Sequence, residues 1–133
     1  MEFAAEDVAC MLADGVAILG MGETGDGGHS VMLQGSLREV ADSEREMGWD
    51  TYHVSIDEDE SCYGGILLCT MTSESIQFNF SAEAAEALGV DGLRLDLALQ
   101  TKELANIAAY LRLILTSGRE NEHPELRLAE FGE

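Results

Sequence analysis

The chain has 133 residues, which is enough for one domain with a single core. It carries 26 Asp and Glu against 7 Lys and Arg, a formal net charge of −19, yet its hydrophobic content of 46% is that of a folded protein and not of a disordered acidic tail. Because proteins bind nucleic acids and anionic membranes through Lys and Arg, this charge excludes both as partners.

The first part of the chain predicts three strands. Asp14 and Gly15 tolerate positive φ, so this dipeptide favours a tight hairpin between a strand at residues 8–13 and another at 15–20. A third strand is expected at residues 29–34, after a glycine-rich turn.

The middle of the chain predicts four more strands. Residues 36–49 have too thin an apolar face to decide between a short helix and a charged loop. Residues 52–56 then alternate apolar and polar side chains, as in a sheet with one solvated face. Residues 65–71 are apolar on both sides, which indicates a central strand, and residues 76–80 and 93–99 alternate again.

Two helices are marked by their capping residues. Ser81 can cap Ala82–Leu88, which Gly89 ends, and Thr101 can cap residues 102–116, which Gly118 ends. The second helix has an apolar stripe made of Leu104, Ile107, Ala108, Leu111, Ile114 and Leu115.

These elements predict an α+β fold: a mainly antiparallel sheet of about six or seven strands packed with two helices. We expect a single domain over residues 1–118 and a polar C-terminal tail at 119–133. Whether this tail packs on the domain is left open by the sequence.

The compartment and the redox state follow from what the sequence lacks. The N-terminus has no basic segment, and no apolar run reaches the roughly 18 residues that span a membrane, so we expect a cytoplasmic protein. The cysteines are odd in number and lack metal-site spacing, which indicates reduced, buried thiols at Cys10, Cys62 and Cys69.

A glycine motif near the N-terminus has the spacing of a dinucleotide site. Gly20, Gly22 and Gly25 match G-x-G-x-x-G after a strand. A dinucleotide site then needs a helix N-terminus for the pyrophosphate, but here a strand follows, and Glu23 and Asp26 place negative charge where the phosphates would lie. The pattern therefore predicts a hairpin loop and no cofactor.

The densest acidic run is Asp57, Glu58, Asp59 and Glu60. It begins like a calcium-binding loop, but Cys62 and Leu68 occupy the positions that require Gly and Glu, which excludes an EF-hand. The simplest interpretation is a solvated turn between two strands. Four adjacent carboxylates repel one another, however, and so favour a cationic partner.

Catalytic signatures are not evident. His29, His53 and His123 accompany no nucleophile motif, and His53 lies on the polar side of its strand, as a surface histidine does. The acids are so numerous that no pair stands out as a general acid and base. We therefore predict a protein that is not an enzyme, with no cofactor and no metal.

Two short motifs resemble a known family. Met47-Gly48-Trp49-Asp50-Thr51-Tyr52-His53-Val54, followed after the acidic turn by Cys62-Tyr63-Gly64-Gly65-Ile66, is similar to the immunity protein 10 family of bacterial polymorphic toxin systems. Residues 76–80, 81–89, 93–99 and the closing helix follow in the same order, so the resemblance covers roughly 13–117. It implies a small cytoplasmic protein without chemistry of its own, which binds a cognate secreted toxin domain and protects the producing cell.

A cationic toxin surface would place the binding site among the acids. Residues 39–60 hold nine of the 26 acids, opposed only by Arg45. Complementary charge speeds encounter and suppresses wrong partners. The expected partner-binding residues are Asp57, Glu58, Asp59 and Glu60, then Glu44, Glu46 and Asp50.

Aromatic side chains can supply the apolar anchors of such an interface. The candidates are Trp49, Tyr52 and Tyr63, because binding energy concentrates in buried aromatics. Tyr52 is on the apolar side of its strand and is expected in the core, whereas Trp49 fits either role. Gly64 and Gly65 are expected to serve the backbone, at a bulge or a close crossing.

Two other functions stay open from the residues alone. One is a small metal-dependent hydrolase that uses a carboxylate cluster, and the other is a non-catalytic adaptor or oligomerisation domain. The sequence does not fix the oligomeric state.

Overall fold

A computed structural model describes residues 1–25, 28–37, 51–97, 101–118 and 123–129. The described residues form ten strands and two helices. In chain order these are β1 Glu2–Ala5, β2 Asp7–Ala13, β3 Val16–Gly22, β4 Ser30–Ser36, β5 His53–Ile56, β6 Glu60–Tyr63, β7 Ile66–Met71, β8 Ser75–Phe80, α1 Ala82–Leu88, β9 Gly92–Leu97, α2 Thr101–Leu115 and β10 Glu125–Leu128.

The strands form two sheets of five strands each. The first sheet has the order β1-β9-β8-β7-β10, and the second is the antiparallel meander β2-β3-β4-β5-β6. In the first sheet the central pairs are antiparallel, whereas β1 pairs with β9 and β10 pairs with β7 in parallel. The predicted α+β class with mainly antiparallel strands is confirmed.

The expectation of one sheet with six or seven strands is wrong. Each of the two sheets buries one face in the same apolar core, so strands of both sheets show the same alternation, and the pattern cannot tell which sheet a strand joins. The strands that the sequence missed, β1, β6 and β10, have four residues each and lie at sheet edges. Short edge strands carry few apolar residues and give a weak signal.

The turn and capping residues act as expected at most sites. Asp14 and Gly15 have φ of 52° and 77° and connect β2 to β3. The Ser81 side chain accepts a hydrogen bond from the Ala84 amide at 3.2 Å, and Gly89 ends α1 in the left-handed conformation. Helix α2 begins at Thr101 itself, one residue earlier than predicted.

Helix α2 packs on the inner face of the second sheet. Its apolar stripe is buried, with Leu104, Ile107, Leu111 and Ile114 at most 4% exposed. A Cβ added at Gly35 on β4 would lie 2.5 Å from Ser117 Oγ and 3.1 Å from the Ile114 carbonyl oxygen. The glycine therefore allows the helix C-terminus to lie directly on the strand.

Tyr52 joins the two sheets inside the core. It precedes β5 of the second sheet and is 0% exposed. Its hydroxyl accepts a hydrogen bond from the Ile66 amide at 2.9 Å and lies 3.4 Å from the Ile66 carbonyl oxygen, at the start of β7 in the first sheet. The expected core position of Tyr52 is confirmed, so Tyr52 is not an exposed anchor.

Gly64 and Gly65 serve the backbone, as expected. Their φ angles are 69° and 89°, and a Cβ at Gly65 would overlap the Cβ of Ala84 on α1. The register of β7 against β8 shifts between Ile66 and Leu68, immediately after these glycines. The pair therefore turns the chain into β7 at a bulge.

Part of the C-terminal segment joins the first sheet. Strand β10 places Leu126 opposite Cys69 and Leu128 opposite Met71, and both leucines pack against the core. The sequence had left this question open.

Candidate interaction surface

The first three residues of the acidic run form the turn between β5 and β6, Glu60 begins β6, and Asp57 holds the turn together. Asp57 and Glu58 adopt positive φ, 55° and 63°. The Asp57 carboxylate accepts a hydrogen bond from the Ser30 amide at 2.9 Å and lies 2.9 Å from His29 Nδ1. Asp57 thereby ties the β5–β6 turn to the start of β4, which is a structural role.

These contacts also set the protonation of Asp57. Partial burial raises the pKa of this carboxyl, but the hydrogen bonds from Ser30 and His29 and the charge of the imidazole outweigh it, so that the pKa lies below its ordinary value of 3.8. Asp57 is therefore ionised throughout the neutral range.

The other predicted binding residues divide into two groups. Glu58, Asp59 and Glu60 are exposed, and Glu58 also lines a groove on the same sheet. Glu44, Glu46, Trp49 and Asp50 lie outside the described residues, so their position relative to the turn stays a prediction.

Two adjacent rows of residues on the solvent-facing side of the second sheet carry no charge across all five strands, and Asp7 lies on the same side at the start of β2. Because partners in register share a face, two adjacent rows can be read from the pairing. One row consists of Met11, Ile18, Gln34, His53 and Tyr63. The next consists of Ala9, Gly20, Met32, Ser55 and Ser61. We call these ten residues the outer face of the second sheet.

Large apolar side chains on this outer face reach solvent. Met11 is 53% exposed, Met32 is 36% exposed and Tyr63 is 45% exposed. The ring centroids of His53 and Tyr63 are 4.8 Å apart. Burial lowers the pKa of His53, so its imidazole is neutral at pH 7.

A shallow groove crosses one end of the outer face. Gly20 and Met32 are among its lining residues, and three carboxylates stand around it, those of Asp7, Glu23 and Glu58. The residues of the G-x-G-x-x-G pattern thus lie in and beside β3, and β4 follows them, which confirms a hairpin and not a dinucleotide turn.

The outer side of the first sheet is different, because it carries both signs of charge as well as the exposed Leu67 of β7. Gln77 lies opposite Arg94 in the register, and Arg94 is 3.4 Å from Asp96. The described basic residues are on this sheet or on α2, namely Arg94, Arg127, Lys102 and Arg112. Within the described chain the second sheet therefore has acids at its margin and no base.

The groups that could hold a metal ion or act as nucleophiles are placed as follows. Within the described ranges no three residues among His, Cys, Asp and Glu come together to hold a metal ion. The three cysteines form no disulfide with one another; Cys69 is buried, and Cys10 and Cys62 are half-buried. Burial raises the pKa of the Cys69 thiol to about 12, so this thiol is protonated and unreactive at neutral pH.

Sequence reasoning missed the outer face, although a signal was present. Residues 8–22 contain one charged side chain, Asp14, and residues 28–37 contain none. The chain has a net charge of −19, yet β3 and β4 carry no charged residue on either face. Charge density instead favours the acidic residues 57–60 as the binding site.

Comparison with known proteins identifies the family. In the part of the chain that the structure describes, no helix is long and apolar enough to cross a membrane. No curated protein and no solved structure matches the chain. The model of the family described as immunity protein 10 matches residues 4–105, well over half of the chain. The chain therefore belongs to the immunity protein 10 family.

Proposed function

We propose that this protein binds a cognate bacterial toxin domain and neutralises it by occupying its active site or an essential surface. The observation that carries the proposal is the family match over residues 4–105. The toxin is the effector of a polymorphic toxin system, and the immunity protein acts in the cytoplasm of the producing cell.

Binding without catalysis agrees with how the reactive groups are used. Asp57 and His29 are engaged with each other across two loops, and the Cys69 thiol has a pKa of about 12. Immunity proteins are generally non-catalytic, and we infer the same for this chain.

The charge supports a cationic partner. A net charge of −19 attracts a basic surface from a distance and repels acidic competitors. Among the predicted contact residues, Glu58, Asp59 and Glu60 have exposed carboxylates, and Glu44, Glu46, Asp50 and Trp49 are retained as proposed contacts. Asp57 contributes its charge to the field, but its oxygens are already engaged by Ser30 and His29.

Coexpression tests the function directly. The protein, produced with the toxin domain encoded by the neighbouring gene, should restore growth and copurify with that domain in a one-to-one complex. A lack of both growth and complex would refute the proposal.

Charge reversal tests the contribution of the acidic turn. Changing Asp59 and Glu60 to Lys should slow association and weaken protection without lowering the melting temperature. Changing Glu83 and Glu86 on α1 to Lys is the matched control, because these residues are also exposed and the net charge changes equally. An association rate that does not fall with added salt would refute the electrostatic part alone.

A further inference from the structure

We propose that the outer face of the second sheet is the surface on which the toxin domain docks, and that the toxin presents there an apolar centre bordered by Lys and Arg. This inference rests on the proposed function and names the surface that performs it. The observations that support it are the composition of the face, the glycine in its groove and the carboxylates at its margin.

The composition of the outer face is that of an interface centre. Charged side chains are depleted at the centres of protein interfaces, whereas Met and Tyr are enriched. This face has Met11, Met32 and Tyr63 exposed and no formal charge among its ten residues. Flexible methionines can change their side-chain conformation to fill an irregular partner surface.

The area of the outer face also agrees with that of the apolar centre of a protein interface. Five strands at a spacing of about 4.8 Å and two rows of side chains give, with the width of the side chains included, about 400 Å². A standard interface covers about 800 Å² on each partner, with an apolar centre and a polar rim. The outer face can supply this centre, and the margin at Asp7, Glu23 and Glu58 can supply part of the rim.

Gly20 has no structural reason to be glycine. A Cβ built on it meets no atom within 4 Å, and it is not among the glycines with positive φ. Glycine inside a strand is less favourable than Ala, and it can mark the close approach of a ligand or another backbone. Here its missing side chain opens the groove between Ala9 and Met32, where an apolar side chain of the toxin can enter.

The charges favour a basic partner over a second copy of this chain. Asp7, Glu23 and Glu58 line the groove, and the described second sheet has no Lys or Arg to neutralise them. A second copy would bring another net charge of −19 and no described base on this sheet. An apolar side chain of the toxin would fill the groove, and Lys or Arg beside it would pair with the carboxylates at the margin.

Substitutions at Gly20 test the face, because the position has room for a side chain. Gly20→Gln fills the groove without adding charge, and Gly20→Arg also neutralises the acidic margin. Asn79→Arg, on the exposed side of the first sheet, is the control for added charge. Met11→Arg is a second variant on the outer face, at a side chain that is more than half exposed.

The experiment is a titration of each purified variant with the toxin domain encoded by the neighbouring gene, together with the growth assay. Gly20→Arg and Met11→Arg should raise Kd by at least about 30-fold, the effect of losing one dominant contact. Gly20→Gln should raise it at least about tenfold, and Asn79→Arg should change it less than about threefold. All four variants should melt close to the wild type.

Three results would overturn the inference, and they are distinguishable. If the wild type binds and protects but the folded Gly20 and Met11 variants do so equally well, the toxin docks elsewhere and the proposed function stands. If the wild type neither binds nor protects, the proposed function fails and this inference fails with it. If the wild type is a dimer that Gly20→Arg dissociates, the outer face is a contact between copies of the chain.

Discussion

The buried hydroxyl of Tyr52 offers a sharp test of how the two sheets are joined. Tyr52→Phe keeps the ring and its volume but removes the oxygen that accepts the Ile66 amide proton at 2.9 Å. Tyr52 is 0% exposed and Ile66 is 2% exposed, so water cannot replace this partner without disturbing the packing. A buried donor left unsatisfied costs about 1–3 kcal/mol.

The expected change in melting temperature follows from the size of the chain. At about 2.1 cal/mol/K per residue, 133 residues have an unfolding entropy of about 0.28 kcal/mol/K. A loss of about 1–3 kcal/mol therefore lowers Tm by about 4–11 °C. Thermal unfolding followed by circular dichroism, with urea unfolding at 25 °C, measures both quantities.

Tyr110→Phe is the matched control. Tyr110 on α2 is half-buried against the same core, and its hydroxyl forms no hydrogen bond within the described part of the chain. This change should cost less than about 0.5 kcal/mol. If Tyr52→Phe is no more destabilising than Tyr110→Phe, the hydroxyl does not tie the start of β7 to the chain before β5, and the reasoning is wrong.

Three further predictions concern packing, pH and thiol reactivity. Gly35→Ala should destabilise the protein by about 1–3 kcal/mol in urea unfolding, because the added Cβ would press on α2. The control Gly20→Ala should be neutral or slightly stabilising, because its Cβ has room. Equal effects of the two substitutions would contradict the packing of α2 on β4. Because the folded pKa of Asp57 is lowered, its contribution to stability is complete above the unfolded pKa near 3.8 and is lost as pH falls below that value. In unfolding measured at both pH values, Asp57→Asn should therefore destabilise at pH 7 and have less effect at pH 3, and an equal effect at the two pH values would contradict this assignment. In native protein Cys69 should react with a thiol reagent more slowly than the half-buried cysteines, and equal rates would contradict its burial and its pKa of about 12.

The parts of the fold that depend on residues close together in the sequence could be predicted from it. Asp14-Gly15, Ser81 and Gly89 act through their own backbone angles and hydrogen bonds, so their roles could be predicted without knowing the rest of the fold. The alternation at residues 76–80 likewise predicted β8.

Strand pairings between residues far apart in the chain could not be predicted from the sequence. The pairing of β10 with β7 joins residues about 57 positions apart in the chain, with Glu125 opposite Leu68, and no local pattern in Glu125–Leu128 indicates that partner. The division into two sheets has the same origin, because alternation records one buried face and not the identity of the neighbouring strand.

The candidate site shows what charge can and cannot indicate. The acidic excess predicted a cationic partner, but it directed attention to Asp57, whose carboxylate is engaged with His29 and Ser30. The centre of an interface is usually poor in charge. On the docking proposed above, the uncharged stretches around Gly20 and Met32 are the part of the sequence that would indicate the site.

The two parallel pairs at the edges of the first sheet have a consequence for synthesis of the chain. Strand β1 must wait for β9, since the Met1 amino group bonds the Gly92 carbonyl oxygen 91 residues later, and β7 gains its outer neighbour only when β10 has been made. The meander of the second sheet needs only contacts between consecutive strands, and such local contacts form quickly. During translation the uncharged face would then be assembled first, while the sheet that shares its core is still incomplete. A chain cut before residue 125 would have all the strands of the second sheet, but its first sheet would lack an edge strand.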